Sequence, residues 1–93
     1  MNKQELVKKI AHDAEVTQRQ ATVMLESTIN AIIDTVSAGE KIQLQGFGTF
    51  EPRYREARTG HTPVTNQPLD IPAATVPVFK PGVEFKEAVS RRR

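Results

Sequence analysis

The chain contains no cysteine, so no disulfide staples it and no thiolate can hold a metal. It contains only two histidines, His12 and His61. His12 stands beside Asp13 in a helical pattern and reads as a solvated helix residue. His61 has neither a cysteine nor a paired acid near it in sequence, and no hydroxyl shows a base partner that would make it a nucleophile. Phosphate-binding loops of the Walker type are absent. Long apolar runs are lacking as well: near the start none exceeds two residues. That argues against a signal peptide or a membrane-spanning helix and predicts a cytoplasmic location. No enzyme, metal site, cofactor or small-molecule substrate is expected.

What the chain does have is unevenly placed charge. It has 93 residues, enough for one small domain, and a net charge of +2. Residues 1–40 hold four Lys/Arg against six Asp/Glu, whereas residues 41–93 hold nine against five. The second half ends in Arg91, Arg92 and Arg93. Local positive potential of this kind attracts polyanions even when the total charge is small.

The order of patterns predicts an α+β chain. Asn2 with Glu5, and Thr17 with Gln20, have capping-box spacing. Leu6, Val7, Ile10, Ala11 and Ala14 form one helical stripe. Ala21, Met24, Leu25, Thr28, Ile29, Ile32, Ile33 and Val36 form a second, which Gly39 is placed to end. Residues 1–38 thus read as a helical hairpin linked near 15–17. After Gly39 the period becomes two: Ile42 and Leu44 alternate with polar neighbours, which predicts strands over 41–52. Gly46 and Gly48 flank Phe47 in a tight reversal. Residues 77–93 lead into a last short helix, with Pro81 suited to its first position.

Between these lies "RTGHTPVTNQP", residues 58–68, which has one apolar side chain, Val64, and cannot form a core. The strands around it pair as a hairpin over about 53–62 and 67–76, reaching roughly 30–35 Å at ~3.3 Å per residue. The 69 residues outside 53–76 are too few for a self-sufficient core without a staple. Phe47, Phe50, Phe79 and Phe85 are four rings in a body too small to enclose them. A homodimer joined through an apolar sheet face is the expectation. Arg53, Arg55 and Arg58 lie along the ribbon, where arginine suits phosphates and narrow minor grooves. Pro63 at its tip is either a turn former or a wedge between base steps.

"MNKQELV" at the start, "GEKIQLQGFGTF" at 39–50, "ARTGHTPVT" at 57–65 and "IPAATVPVFKPG" at 71–82 carry a resemblance over nearly the whole chain. The chain resembles the family of bacterial histone-like HU proteins and integration host factor. The resemblance implies an intertwined homodimer: a helical base, an antiparallel sheet saddle, and two long β-ribbon arms that hold DNA in the minor groove. It implies little sequence specificity, DNA bending and compaction of the nucleoid. A sequence-specific bender of the integration-host-factor type and a dimeric protein-interaction module are the alternatives.

By position, Pro63 resembles the intercalating residue. Arg53, Arg55 and Arg58 resemble arm contacts, with His61, Thr62 and Thr65 around the tip. Gly46 and Gly48 resemble backbone donors to phosphate, and Lys3, Lys80 and Lys86 resemble contacts to the DNA flanks. Phe47, Phe50 and Phe79 resemble the dimer core, which Ile29, Ile32 and Leu44 extend. The tip departs from the family's Arg-Asn-Pro, reading His61-Thr62-Pro63. Asn66 replaces a common glycine, and Val83 stands where many members have lysine. Double-stranded DNA is the expected partner, better bound when bent, nicked or otherwise distorted.

Overall fold

Asn2 Oδ1 accepts the Glu5 N–H at 2.9 Å, which starts helix α1 at Lys3 and carries it to Ala14. The second box closes in both directions: Gln20 N–H donates to Thr17 Oγ1 at 3.0 Å and Thr17 N–H to Gln20 Oε1 at 2.9 Å. Helix α2 runs from Gln18 to Ser37. Its end is a Schellman motif. Gly39 has φ +93°, its N–H reaches Val36 O at 3.0 Å, and Glu40 N–H reaches Thr35 O at 3.1 Å.

Helix α1 ends in the same motif, with a residue less suited to it. Glu15 has φ 57° and ψ 46°, and Val16 N–H reaches Ala11 O at 3.0 Å. A left-handed conformation costs a residue with a side chain roughly 1–2 kcal/mol, partly offset by the extra freedom glycine would lose, about 0.5–1 kcal/mol. Glu15→Gly is therefore expected to raise the thermal midpoint by a few degrees in a circular-dichroism melt. A lowered midpoint would contradict this account of the turn.

The structure, a computed structural model, describes residues 1–61 and 67–91, with the His61 side chain left aside. Contacts divide it into two units, 1–34 and 35–93. In the first, Val7, Ala11 and Ala21 are buried, with Ile10, Val16 and Leu25 packed against them. Further along α2, Ile29 and Ile33 are exposed and Ile32 half-buried. Among the described residues no helix is long and apolar enough to cross a membrane.

The second unit is built on antiparallel strands. β1 (Ile42–Leu44), β2 (Gly48–Arg55) and β5 (Ala74–Pro81) form a sheet in the order β1-β2-β5, while β3 (Arg58–His61) and β4 (Pro68–Ile71) form a separate two-stranded ribbon. Helix α3 follows at Val83–Ser90 with Gly82 as its N-cap. Pro81 is thus the last residue of β5, facing Gly48, and Val83 takes the first helical position that Pro81 was expected to hold. Strand pairing claims the proline before the helix can.

The hairpin expected as continuous over 53–62 and 67–76 is two ladders with a joint, and proline explains why. Pro52 faces Pro77. Two prolines cannot exchange N–H bonds, so theirs is a non-hydrogen-bonded rung. The bonded rungs of β2 and β5 therefore fall on odd-numbered β2 residues, consistent with Gly82 N–H donating to Phe47 O at 2.8 Å. The next bonded rung after Arg55–Ala74 would be Ala57 with Pro72, which has no N–H to give, and the ladder stops.

It resumes at Arg58–Ile71 without a slip in register. There Pro68 faces His61, again necessarily a non-bonded rung. The bonded rungs of β3 and β4 are then Arg58–Ile71 and Gly60–Leu69, on even-numbered β3 residues. Across 56–57 and 72–73 the alternation has shifted by one residue in both strands, a bulge on each side of the ribbon. Because N–H direction and side-chain face alternate together along a strand, the even residues of β3 continue the face of the odd residues of β2.

Candidate nucleic-acid interface

The joint settles how the arginines of the second unit are aligned. Arg53 and Arg55 share one face of β2, and the shift in alternation brings Arg58 onto the same face of the ribbon. Lys80 lies on that face too, opposite Thr49. Glu51 sits between the cations: its Oε1 is 3.4 Å from Lys80 Nζ and its Oε2 3.8 Å from Arg53 Nη2. The carboxylate holds the two cationic side chains over the sheet and cancels part of their field. Sequence reasoning counted cations and missed Glu51, although its spacing of two residues from Arg53 was the signal.

The opposite face of the sheet is aromatic. Phe50 and Phe79 are cross-strand partners with ring centroids 4.7 Å apart. Phe47 stacks on Phe85 at 5.3 Å with 12° between the planes, and lies 5.2 Å from Phe79. None of the four rings is buried, and Phe47 is 45% exposed. Leu44 is exposed beside them in sequence. Phe85, left out of the expected interface, belongs to this cluster because α3 begins directly after β5 and carries the ring back to it.

The two glycines of the turn differ. Gly46 has φ +86° and is half-buried, with the Glu84 carboxylate next to it. Gly48 is buried at the start of β2. A Cβ there would stand 2.5 Å from Phe79 Cε1 and 2.6 Å from the Lys80 carbonyl oxygen. The demand for glycine at 48 comes from packing inside the sheet. Gly48→Ala is expected to cost about 1–3 kcal/mol by overpacking, read as a lower urea midpoint; an unchanged midpoint would show that the strands can part freely.

The remaining expected contacts are scattered. Lys3 is in the first unit and its Nζ is 2.6 Å from Glu26 Oε2, an exposed ion pair worth at most about 1 kcal/mol. Lys86 is exposed on α3, and Val83, in place of the family's lysine, is exposed at its start. His61 closes β3 through its backbone. Thr62, Pro63 and Thr65 lie outside the described residues, as do Arg92 and Arg93. No group of three or more potential metal ligands occurs among the described residues.

Comparison with known proteins gives a consistent picture. The family model described as bacterial DNA-binding protein matches residues 1–90. The chain is 46% identical over 91 residues to DNA-binding protein HU of Clostridium pasteurianum, covering 98% of this chain and all of that one. It is 48% identical over 90 residues to DNA-binding protein HU of Nostoc, covering 97% and 96%. Among solved structures it is similar to the HU chain of an Anabaena HU–DNA cocrystal, at a TM-score of 0.89 and 48% identity over 97% of this chain and 98% of that one. HU from Thermotoga maritima follows at a TM-score of 0.69 and 31% identity, covering 96% and 98%.

Proposed function

Because the chain belongs to the bacterial DNA-binding protein family, we propose that it is a histone-like architectural protein that binds double-stranded DNA with little sequence preference and bends it. The observation that carries this reading is the two-sided sheet: Lys80, Arg53 and Arg55 on one face, a phenylalanine cluster on the other. Polar contacts of this kind neutralise phosphates and release counterions without reading bases.

The aromatic face supports a homodimer. Four partly exposed rings gathered in one cluster, with Leu44 exposed beside them in sequence, are the kind of apolar surface that marks an interface, and Ile29 and Ile33 are exposed on α2 as well. A second copy that covers them supplies the core that Val7, Ala11 and Ala21 alone do not. Two arms per dimer then enter the minor groove. Pro63, Thr62, Thr65 and His61 meet it at the tip, Arg53, Arg55 and Arg58 follow along the ribbon, and Lys80, Lys86, Lys3 and the turn at Gly46 and Gly48 meet the flanks. The activity is binding without turnover, and its place is the nucleoid.

Pro63 is the wedge in this scheme. Unstacking costs a few kcal/mol per step and is offset by the surface that bent DNA wraps. Pro63→Ala should therefore reduce bending, read by fluorescence transfer between duplex ends, more than it reduces affinity. Equal bending by the two proteins would remove the wedge. The whole reading is tested by titrating intact, nicked and four-way DNA at two salt concentrations. Tighter binding to the distorted forms is expected, and failure to bind any of them would overturn it.

A further inference from the structure

One cavity of the second unit has a carboxylate on either side of it. Its volume is about 290 Å³, and its lining includes Gly46, Gly48, Thr49, Lys80, Gly82 and Val83. It opens between the turn after β1, the end of β5 and the start of α3. Lys80 is the one cation in the lining. Glu51 has Oε1 3.4 Å from Lys80 Nζ, and its side chain is only 23% exposed. Glu84 projects from the first turn of α3 and lies against the turn after β1: a Cβ at Gly46 would be 3.0 Å from Glu84 Oε2. The N-cap of α3, Gly82, offers no side-chain acceptor, so Glu84 is the negative charge at this helix start.

We infer that Glu51 and Glu84 are internal competitors of the DNA phosphate at this cavity, and that they hold the protein's affinity down. The inference rests on the DNA-binding reading above, which brings Lys80 and the turn at Gly46 to the DNA flanks. The charge of Lys80 is met by Glu51 before any phosphate arrives, and Glu84 sets a second negative charge at the turn. One positive charge thus stands between two negative ones. A phosphate gains its full attraction here only when Lys80 leaves Glu51 and the Glu84 side chain swings aside. Glu84 is exposed and free to swing, whereas Glu51 is half-buried in the sheet and stays. Like charge set against an incoming anion costs affinity. The cost falls on every duplex alike, because phosphate contacts carry no base preference.

Three single variants of the full chain test this on a nicked duplex at physiological salt, where charges more than about 8 Å apart are largely screened. Glutamine keeps the size of glutamate and removes its charge. Glu51→Gln and Glu84→Gln should each tighten binding by about three- to tenfold. Glu51→Gln should also steepen the slope of log affinity against log salt, by up to about 0.9 for each Lys80 set free. Glu87→Gln removes the same charge one turn further along α3, outside the cavity lining, and should change affinity by less than about twofold. Weaker binding by Glu51→Gln would mean that the carboxylate positions the cations for DNA and does not compete with it. A gain from Glu87→Gln equal to that from Glu84→Gln would mean that net charge alone is being read. Either result overturns the inference, as does unchanged affinity in both Glu51→Gln and Glu84→Gln. In each of these cases the unaltered protein still binds, and only this inference fails. If the unaltered protein does not bind, the DNA-binding reading fails and takes the inference with it.

Discussion

Phe79→Ala is expected to leave the protein unfolded, or folded only at high concentration. The Phe79 ring touches the cluster on three sides, with centroids 4.7 Å from Phe50, 5.2 Å from Phe47 and 6.1 Å from Phe85. Removing a packed phenylalanine side chain costs about 3–5 kcal/mol. In a homodimer the loss occurs twice per folding unit, so about 6–10 kcal/mol is taken from a total stability of roughly 5–15 kcal/mol. The protein also loses apolar area that joins the copies, so folding and association fall together. A melt followed at several protein concentrations, with sedimentation for mass, reads both. A shift of only a few degrees with unchanged mass would show that the ring is surface decoration and that a single chain is self-sufficient.

The second large effect is electrostatic. Replacing Arg53, Arg55 and Lys80 together with alanine removes the basic row from the sheet while leaving its ladder and the aromatic face intact. Each phosphate contact contributes about 0.9 to the slope of log affinity against log salt. The slope should become shallower by about 2–3 units, with affinity at low salt down by about a hundredfold. Glu51 modifies the expectation in a readable way. It already pairs with Lys80 and Arg53, so part of their charge is spent before DNA arrives, and the shortfall from three full contacts measures that part. An unchanged slope would exclude all three residues from phosphate contact.

Local signals in the chain proved reliable where one residue decides the outcome within a few positions. Thr17 and Gln20 announced their reciprocal cap, and Gly39 its left-handed turn, because both motifs are closed by backbone groups no more than five residues away. Phe47, Phe50, Phe79 and Phe85 were recognisable as a surplus of apolar rings. The joint in the ribbon was not recognisable, because it depends on register. Pro72 breaks the ladder only because it falls opposite Ala57 on a rung that needs its N–H, and nothing near Pro72 in sequence says so. The same limit explains Pro81, which suits a helix start locally but is held in β5 by pairing with Gly48. The sequence placed Arg53, Arg55 and Arg58 along the ribbon without saying which face each takes. The bulge on each strand is what brings the even-numbered Arg58 onto the face of Arg53 and Arg55.

The prolines of β5 have one more consequence. Among the described residues β5 has no neighbour on the side away from β2. The N–H groups that point to that open side belong to its odd-numbered residues, and two of these, Pro77 and Pro81, have none. An incoming strand would find donors only at every second place, too few to extend the sheet. The open side of β5 is thus closed to a further strand by two missing donors, without a charge or a covering loop.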